Sequence, residues 1–161
     1  MNLNKDIEQA VLRGDIGFLI KLKISDIDWN IKDKFGRTVI YDAITKGYSD
    51  IVEFLCKTNI NLNNQDNTGK SPLHFASIHR QFKIAELLIE NKVEINLRDN
   101  NGNNPLFDAI FNCQGNTDLV ILLINSGANY LTVNSHGVSP KELAETISNF
   151  DITQLFSNNN G

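Results

Sequence analysis

The chain has 161 residues and a formal net charge of −4, which argues against nucleic acid or an anionic membrane surface as its main partner. An apolar content of 41% excludes wholesale disorder. The first residues contain no apolar h-region, the apolar runs stay well short of the roughly 18 residues of a membrane span, and the two cysteines lack metal-type spacing. We therefore expect a cytoplasmic protein with a single domain.

The first predicted unit covers residues 1–32 and is an incomplete copy of the units that follow it. Ala10 and Gly14 lie 33 positions before Ala43 and Gly47. The unit lacks an opening turn, and its N-terminal residues are polar. A polar outer face is expected of a terminal unit, because such a unit has no neighbour on one side.

The next two units, residues 33–65 and 66–98, each combine a turn with two short helices. In the better copy, Gly69 supplies a turn position where positive φ is cheap, and Pro72 favours the first turn of a helix. Apolar residues then follow at helical spacing, first at Leu73 and Ala76 and then within 84–89.

This pattern repeats along the chain at a period close to 33 residues. Glycines mark the turns at positions 36, 69, 102 and 137. An aspartate or asparagine lies three positions before each glycine: Asp33, Asp66, Asp99 and Asn134. Such a period, with one turn and two helices in each unit, is typical of a solenoid of stacked repeats.

The fourth unit, residues 99–133, is two residues longer than the units before it. Its second helix starts at Asp118, which lies 35 positions after Lys83, so the extra length falls in the loop 112–116. The last unit covers 134–156 and ends with a short second helix over 151–156. The remaining residues, 157–161, are predicted to be a frayed polar tail.

The segment 71–76, Ser-Pro-Leu-His-Phe-Ala, resembles the Thr-Pro-Leu-His-x-Ala signature of the ankyrin repeat, with serine in place of threonine. The resemblance covers nearly the whole chain, because the pattern recurs in register. It implies an all-α ankyrin-repeat solenoid of helix-turn-helix units, with two capping repeats and three central ones. The abundance of asparagine, isoleucine and lysine also favours an AT-rich genome, as in a bacterium or virus.

The polar residues that recur in each unit are predicted to serve the fold. The natural N-caps are Thr38, Ser71, Asn104 and Ser139. The resemblance implies that His74 ties neighbouring turns together by hydrogen bonds. It implies the same kind of bond for the asparagines that recur before the turns, Asn30, Asn63 and Asn96.

The sequence contains little that predicts catalysis. The segment 64–71 is similar to a phosphate-binding loop, but it has asparagine where the first glycine belongs. His74 and His79 are five positions apart and do not share a helix face. Asp42 and Asp108 lie two repeats apart, and at a helix-packing distance of about 10 Å per repeat they cannot share a proton. We expect no enzyme activity, no cofactor and no metal site.

The resemblance implies that partner binding uses the turn tips and the exposed face of each first helix. Several of these positions carry aromatic or apolar residues that the repeat does not explain, such as Phe35 and Phe111. The candidate binding residues are Lys34, Phe35, Arg37, Asp42, Lys46, Thr68, Lys70, Phe75, Ile78, His79, Asn101, Asn103, Asp108, Phe111 and Asn112.

The function that this implies is binding of one protein partner through a concave face, by a module that is a monomer when free. Basic residues at the first two tips of an acidic chain predict a partner with an acidic surface: Lys34, Arg37, Lys46 and Lys70. Because no second domain is attached, we expect the module to act by occupying its partner, as an inhibitor, an immunity-type antitoxin or an adaptor. The alternative is a nucleic-acid or nucleotide-binding protein that uses the basic tips, whose binding would depend steeply on salt.

Overall fold

A computed structural model describes residues 3–147, and in this range the protein consists of nine α-helices without a β-strand. The all-α class is therefore confirmed. The second helix predicted over 151–156 and the tail 157–161 lie outside the described residues. The helices are α1 Leu3–Arg13, α2 Ile16–Leu19, α3 Val39–Lys46, α4 Ser49–Cys56, α5 Pro72–Ile78, α6 Phe82–Glu90, α7 Pro105–Asn112, α8 Asp118–Asn125 and α9 Pro140–Thr146, with a 3-10 turn at Ile24–Asp26.

The helices stack in two rows. The first row consists of α1, α3, α5, α7 and α9, each packed against the next, and the second row consists of α4, α6 and α8. The short helix α2 packs on α1. Between the rows lies one continuous apolar core, which includes the fully buried Ile44, Leu55, Leu88 and Leu123. The main contacts of each unit are thus with its neighbours, as in a solenoid.

An aspartate or asparagine builds each turn between helix pairs. In the first turn the Oδ1 atom of Asp33 accepts hydrogen bonds from the backbone N–H groups of Phe35 and Arg37, at 2.8 and 2.9 Å. The later turns repeat both bonds at Asp66, Asp99 and Asn134. Three residues on, Gly69 has a φ of +79°, and a Cβ there would lie 2.7 Å from the backbone nitrogen of Asn100. The need for a side-chain acceptor and for a residue without a Cβ explains why an aspartate or asparagine and a glycine recur three positions apart.

Successive turns are joined by a ladder of backbone hydrogen bonds. In each rung the second residue of one turn donates its N–H to the carbonyl of the preceding turn, at 2.8 to 3.0 Å. The rungs run from Asn67 to Phe35, from Asn100 to Thr68 and from Ser135 to Asn101. The ladder aligns the turn tips along one edge of the molecule.

His74 has the structural role that was predicted for it. Its Nδ1 atom accepts a hydrogen bond from the backbone N–H of Ser71 at 3.0 Å, so Nε2 carries the proton and donates to the carbonyl of Asn103, also at 3.0 Å. The side chain is fully buried, and burial lowers the pKa of His74 to about 4. A neutral imidazole therefore ties the second turn to the third.

Three of the four predicted N-caps are confirmed, because their side chains accept a hydrogen bond from a backbone N–H of the following helix: Ser71, Asn104 and Ser139. The prediction for Thr38 is wrong. Its hydroxyl makes no capping bond, and the buried Oγ1 atom has no partner among residues 3–147. The predicted turn bond of Asn30 is confirmed, since its Oδ1 atom accepts the N–H of Asn61 at 2.7 Å.

Candidate partner-binding surface

The predicted binding residues differ in their exposure to solvent. The exposed ones are Lys34, Phe35, Lys46, Thr68, His79, Asn101 and Phe111. The half-buried ones are Arg37, Asp42, Lys70, Ile78, Asn103 and Asn112. The prediction of exposure is wrong for the remaining two, Phe75 and Asp108, which are buried.

Phe75 is buried because a side chain of the preceding turn covers it. Its ring meets the ring of Tyr41 edge to face, with 4.9 Å between the centroids. The guanidinium carbon of Arg37 lies 4.6 Å from the centroid of the Phe75 ring. Phe75 is therefore a packing residue between two repeats and not an anchor for a partner.

Two of the four basic residues that were predicted to face a partner are instead held by aspartates of the next turn. The Nε atom of Arg37 donates to Oδ2 of Asp66 at 2.9 Å. The Nζ atom of Lys70 donates to Oδ2 of Asp99 at 2.7 Å and to Oδ2 of Asp108 at 2.8 Å. Asp108 is buried because it shares this ammonium. We call Lys70 with its two aspartates the Lys70 cluster.

The charges of the Lys70 cluster support one another across the repeat boundary. Burial raises the pKa of Asp99, but hydrogen bonds from Lys70 and from the backbone N–H of Asn103 outweigh burial and leave this pKa below its usual value. Burial lowers the pKa of Lys70, and the hydrogen bonds to the two aspartates more than reverse this effect. At Asp108 burial prevails and keeps the pKa above its usual value. Lys70 is thus a structural cation between the second and third turns.

Phe35 is an aromatic side chain that the first turn exposes to solvent. It is 50% exposed, and the Nζ atom of Lys34 and the guanidinium carbon of Arg37 lie 4.9 and 5.4 Å from its ring centroid. The other turns carry Thr68, Asn101 and His136 at the same position. The turn itself therefore does not require an aromatic residue, and Phe35 is free to contact another molecule.

A second exposed phenylalanine lies farther along the first row of helices, in α7. Phe111, near the end of α7, is 68% exposed. It is followed by Asn112, whose Nδ2 atom donates to the carbonyl of Asp108 at 2.8 Å, and then by the loop 113–117 that contains the two inserted residues. The loop begins one residue later than predicted, because Asn112 is the last residue of α7. The exposed candidates thus lie at the tips of the first three turns and at the C-terminal ends of α3, α5 and α7.

A groove with a volume of about 450 Å³ lies between α1 and the first turn, where the incomplete first unit has no turn of its own. We call it the N-terminal groove. Its lining carries four carboxylates and three basic side chains: Glu8, Asp28, Asp33 and Asp42, with Lys5, Lys32 and Arg37. The uncharged polar side chains of Asn4 and Thr38 also line it. Arg37 and Asp42 were among the predicted binding residues, whereas Glu8 and Asp33 were not. The missing opening turn was the sequence signal that could have indicated them.

The N-terminal groove collects negative charge around Asp42. Burial raises the pKa of Asp42, and the charges of Glu8 and Asp33 raise it further, while Arg37 and Lys46 lower it in part. Within the described range the Asp42 carboxylate has neither a hydrogen-bond partner nor an ion pair. An additional cation would therefore relieve unfavourable charge here.

The described residues contain no cluster of three His, Cys, Asp or Glu side chains that could hold a metal ion. None of the helices in residues 3–147 is long and apolar enough to cross a membrane. What the described surface offers is an exposed aromatic tip, a groove beside it that contains Asp42 without an ion pair among residues 3–147, and a loop with a second exposed ring. Such groups suit recognition of another molecule.

Two family models match the chain. The model for ankyrin repeats (3 copies) matches residues 7–99, which is more than half of the chain. The model for ankyrin repeats (many copies) matches residues 78–124. No curated protein matches the chain. The matched residues include all the helices from α3 to α7 and nearly all of α8.

Proposed function

Because the chain belongs to the ankyrin repeat family, whose members are generally non-enzymatic modules for protein–protein interaction, we propose that it binds one partner protein through its concave face. It acts without catalysis, by occupying that partner as an inhibitor, an immunity-type antitoxin or an assembly adaptor. The free chain is a monomer. A cytoplasmic location is part of the proposal, and the free thiols of Cys56 and Cys113 suit a reducing compartment.

The observation that carries this proposal is the exposed ring of Phe35 at the tip of the first turn. A half-exposed aromatic side chain flanked by the cation of Lys34 combines the two residue chemistries that anchor many interfaces. The fold has no need of this ring, since the other turns have polar residues at its position. We assign Phe35 the role of the buried anchor in the complex, with Phe111 as a second contact farther along.

An acidic partner surface stays part of the proposal, although only two of the four basic residues named for it still support it. Arg37 and Lys70 are paired with aspartates of their own chain. Lys34 and Lys46 are exposed, and they supply the positive charge that faces outward from this part of the surface. We therefore expect a moderate salt dependence of partner binding.

The alternative of nucleotide binding lacks support from the geometry of the Gly69-Lys70-Ser71 segment. The ammonium of Lys70, which would contact phosphate, is held between Asp99 and Asp108. The hydroxyl of Ser71 caps α5. Both groups that a phosphate-binding loop needs thus serve the fold.

Partner capture with the purified chain, followed by titration calorimetry on point variants, tests the proposal. Phe35→Ala is expected to weaken partner binding by at least about 2 kcal/mol, since a central aromatic anchor is lost. Arg37 is left intact, because Arg37→Ala would strip the buried Asp66 of its cation and disturb the fold. Phe82→Ala is the matched control, because Phe82 is 41% exposed on the second row of helices.

Circular dichroism and thermal unfolding show first that both variants keep the wild-type fold. The proposal then requires a large loss of affinity for Phe35→Ala and a change below about 0.5 kcal/mol for Phe82→Ala. Full affinity of Phe35→Ala would remove the first turn from the binding surface.

A further inference from the structure

The N-terminal groove contains two aspartates that are the counterparts of the pair that holds Lys70 farther along the chain. Asp33 and Asp42 lie 66 positions, or two repeats, before Asp99 and Asp108. In both turns the first aspartate uses Oδ1 to bind two backbone N–H groups of its own turn, which leaves Oδ2 for another partner. At Asp99 that partner is the ammonium of Lys70.

The partner of this second atom always comes from the preceding turn. Oδ2 of Asp66 accepts from Arg37, Oδ2 of Asp99 accepts from Lys70, and Nδ2 of Asn134 donates to Asn103 at 2.8 Å. The first turn has no preceding turn. Accordingly, Oδ2 of Asp33 and the whole carboxylate of Asp42 have no partner in the part of the chain that the structure describes.

Two further groups, one in the N-terminal groove and one in the adjoining first turn, are also without partners among residues 3–147. Thr38 lines the groove, is 2% exposed, and has a hydroxyl oxygen that forms no hydrogen bond. The backbone N–H of Lys34 occupies the donor position of the turn ladder and has no acceptor there, unlike Asn67, Asn100 and Ser135. These groups match what a further turn, with a carbonyl and a polar side chain, would satisfy.

We propose that the N-terminal groove binds a lysine side chain that projects from an exposed turn of the partner protein. Its ammonium lies between Asp33 and Asp42 as that of Lys70 lies between Asp99 and Asp108. A backbone carbonyl of the same turn accepts the N–H of Lys34. That the partner is a protein rests on the proposed function. The aspartate pair of the groove and its missing cation do not depend on that function.

The repeats themselves distinguish lysine from arginine as the occupant. Arg37 contacts one aspartate and the ring of Phe75, which is the residue that stands one repeat before Asp108. Where this position is an aspartate, the cation is the lysine Lys70. Asp42 is the aspartate of that position in the first repeat, so the pair calls for an ammonium.

A second copy of this chain does not supply the cation. If two copies stacked end to end, the last described turn of one copy would meet the first turn of the other. The residue of that turn in the position of Lys70 is Val138, which has no charge. The occupant therefore comes from a different protein.

The lysine site can be tested with a peptide, before any partner is known. The probe is the capped octapeptide Asp-Asn-Thr-Gly-Lys-Ser-Pro-Leu, which copies residues 66–73 of this chain. Its binding to the full chain is followed by chemical shifts of the backbone amides. We expect saturable shifts in residues 33–42 and binding that weakens at least about tenfold when the lysine is acetylated.

Variants of the chain distinguish binding by the aspartate pair from a general effect of the negative charge of the protein. Asp33→Asn with Asp42→Asn is expected to weaken peptide binding at least about tenfold. The turn survives this change, because Asn134 forms the same turn bonds as an amide. Glu90→Gln with Glu94→Gln removes the same charge from exposed positions elsewhere and should leave binding unchanged. Equal binding of both peptides, or full binding by the aspartate variant, would overturn the proposal.

Partner capture then distinguishes this site from the proposed function. A captured partner should bind the Asp33→Asn, Asp42→Asn variant at least about tenfold more weakly than the wild type. Lysine-dependent peptide binding by a chain that captures no protein would support the site and contradict the protein-binding function. Capture of a partner without lysine-dependent peptide binding would support the function and contradict the site.

Discussion

The Lys70 cluster and the N-terminal groove each contain a pair of aspartates at equivalent repeat positions. The pair in the cluster shares an ammonium, and the pair in the groove has none among the described residues. In the Lys70 cluster an ammonium from the preceding turn lies 2.7 and 2.8 Å from the two carboxylates. In the groove Asp42 faces the charges of Glu8 and Asp33, and it has no ion pair within the described range. In this solenoid each turn supplies the cation or donor for the next one. The first complete repeat therefore keeps an acceptor site that no donor among residues 3–147 fills, and the proposed lysine of a partner protein would fill it.

The two regions also differ in the side chain that joins neighbouring turns. In the Lys70 region the neutral imidazole of His74 donates to the carbonyl of Asn103. One repeat earlier the hydroxyl of Tyr41 occupies this position and lies 2.9 Å from the carbonyl oxygen of Lys70, the residue one repeat before Asn103. Burial raises the pKa of Tyr41, so this hydroxyl stays protonated at neutral pH. Of these two contacts between turns, only the one made by His74 is expected to be weakened by protonation in mild acid.

The largest expected effect is the loss of stability in acid that His74 causes. Its pKa of about 4 lies below the ordinary 6.5, so the neutral form stabilises the fold above pH 6.5. As the pH falls from about 6.5 to about 4, about 3 kcal/mol of the free energy of unfolding should be lost, at 1.36 kcal/mol per pKa unit.

Urea unfolding of the wild type and of His74→Gln at several pH values measures this effect. The variant is less stable at neutral pH, but the fall in its stability between pH 6.5 and 4 should be about 3 kcal/mol smaller. His136→Gln, which replaces an exposed histidine of the last turn, should follow the wild type. Parallel curves for the wild type and His74→Gln would show that His74 is not the group that responds.

Removing the cation of the Lys70 cluster should leave its two aspartates without an ammonium, as in the N-terminal groove. Lys70→Met keeps the stem of the side chain and leaves Asp99 and Asp108 without their shared ammonium. We expect a cost of about 2 kcal/mol in the free energy of unfolding, since uncompensated charge is left in a largely buried site. Lys21→Met, at an exposed lysine, should cost less than about 0.5 kcal/mol. Equal costs in urea unfolding would contradict a structural role for Lys70.

Adding a cation to the groove should give a smaller effect of the opposite sign. Asn4 lines the groove and stands one repeat before Arg37 in the register of the chain. Asn4→Lys is expected to raise the free energy of unfolding by about 1 kcal/mol, because its ammonium can approach Asp33 and Asp42. Asn4→Met controls for the change in side-chain length.

The source of that gain can be identified in a second background. A lysine at position 4 also lies one helical turn before Glu8, which accounts for about 0.3 to 0.5 kcal/mol at most. In a chain with Asp33→Asn and Asp42→Asn, only this smaller gain should remain. An undiminished gain there would mean that the new lysine does not reach the aspartate pair.

The fold could be predicted from the sequence because each turn is held by local bonds. An aspartate that binds N–H groups two and four residues later needs no information from elsewhere in the chain, and neither does the glycine at positive φ. The same holds for the capping bonds of Ser71 and Ser139. Thr38 has the right residue type, yet its hydroxyl makes no such bond.

The candidate site was harder to predict, because its exposure depends on side chains that cross from one repeat to the next. Arg37 covers Phe75, and Lys70 reaches Asp108, although 38 positions separate each pair. A pattern of exposed positions within one repeat does not contain these contacts. The equal spacing of the two pairs was nevertheless present in the sequence, and it would have indicated that Asp42 lacks a partner.

If Asp42 has no cation in the free protein, Asp42→Asn should be more stable than the wild type. The charged form of Asp42 is disfavoured in the fold, since its pKa is raised by burial and by Glu8 and Asp33. Removing this charge should therefore raise the free energy of unfolding at pH 7, by about 0.5 kcal/mol, in urea titration. A loss of about 1 kcal/mol or more would show that Asp42 is already paired with a cation in the free protein, and would contradict the account.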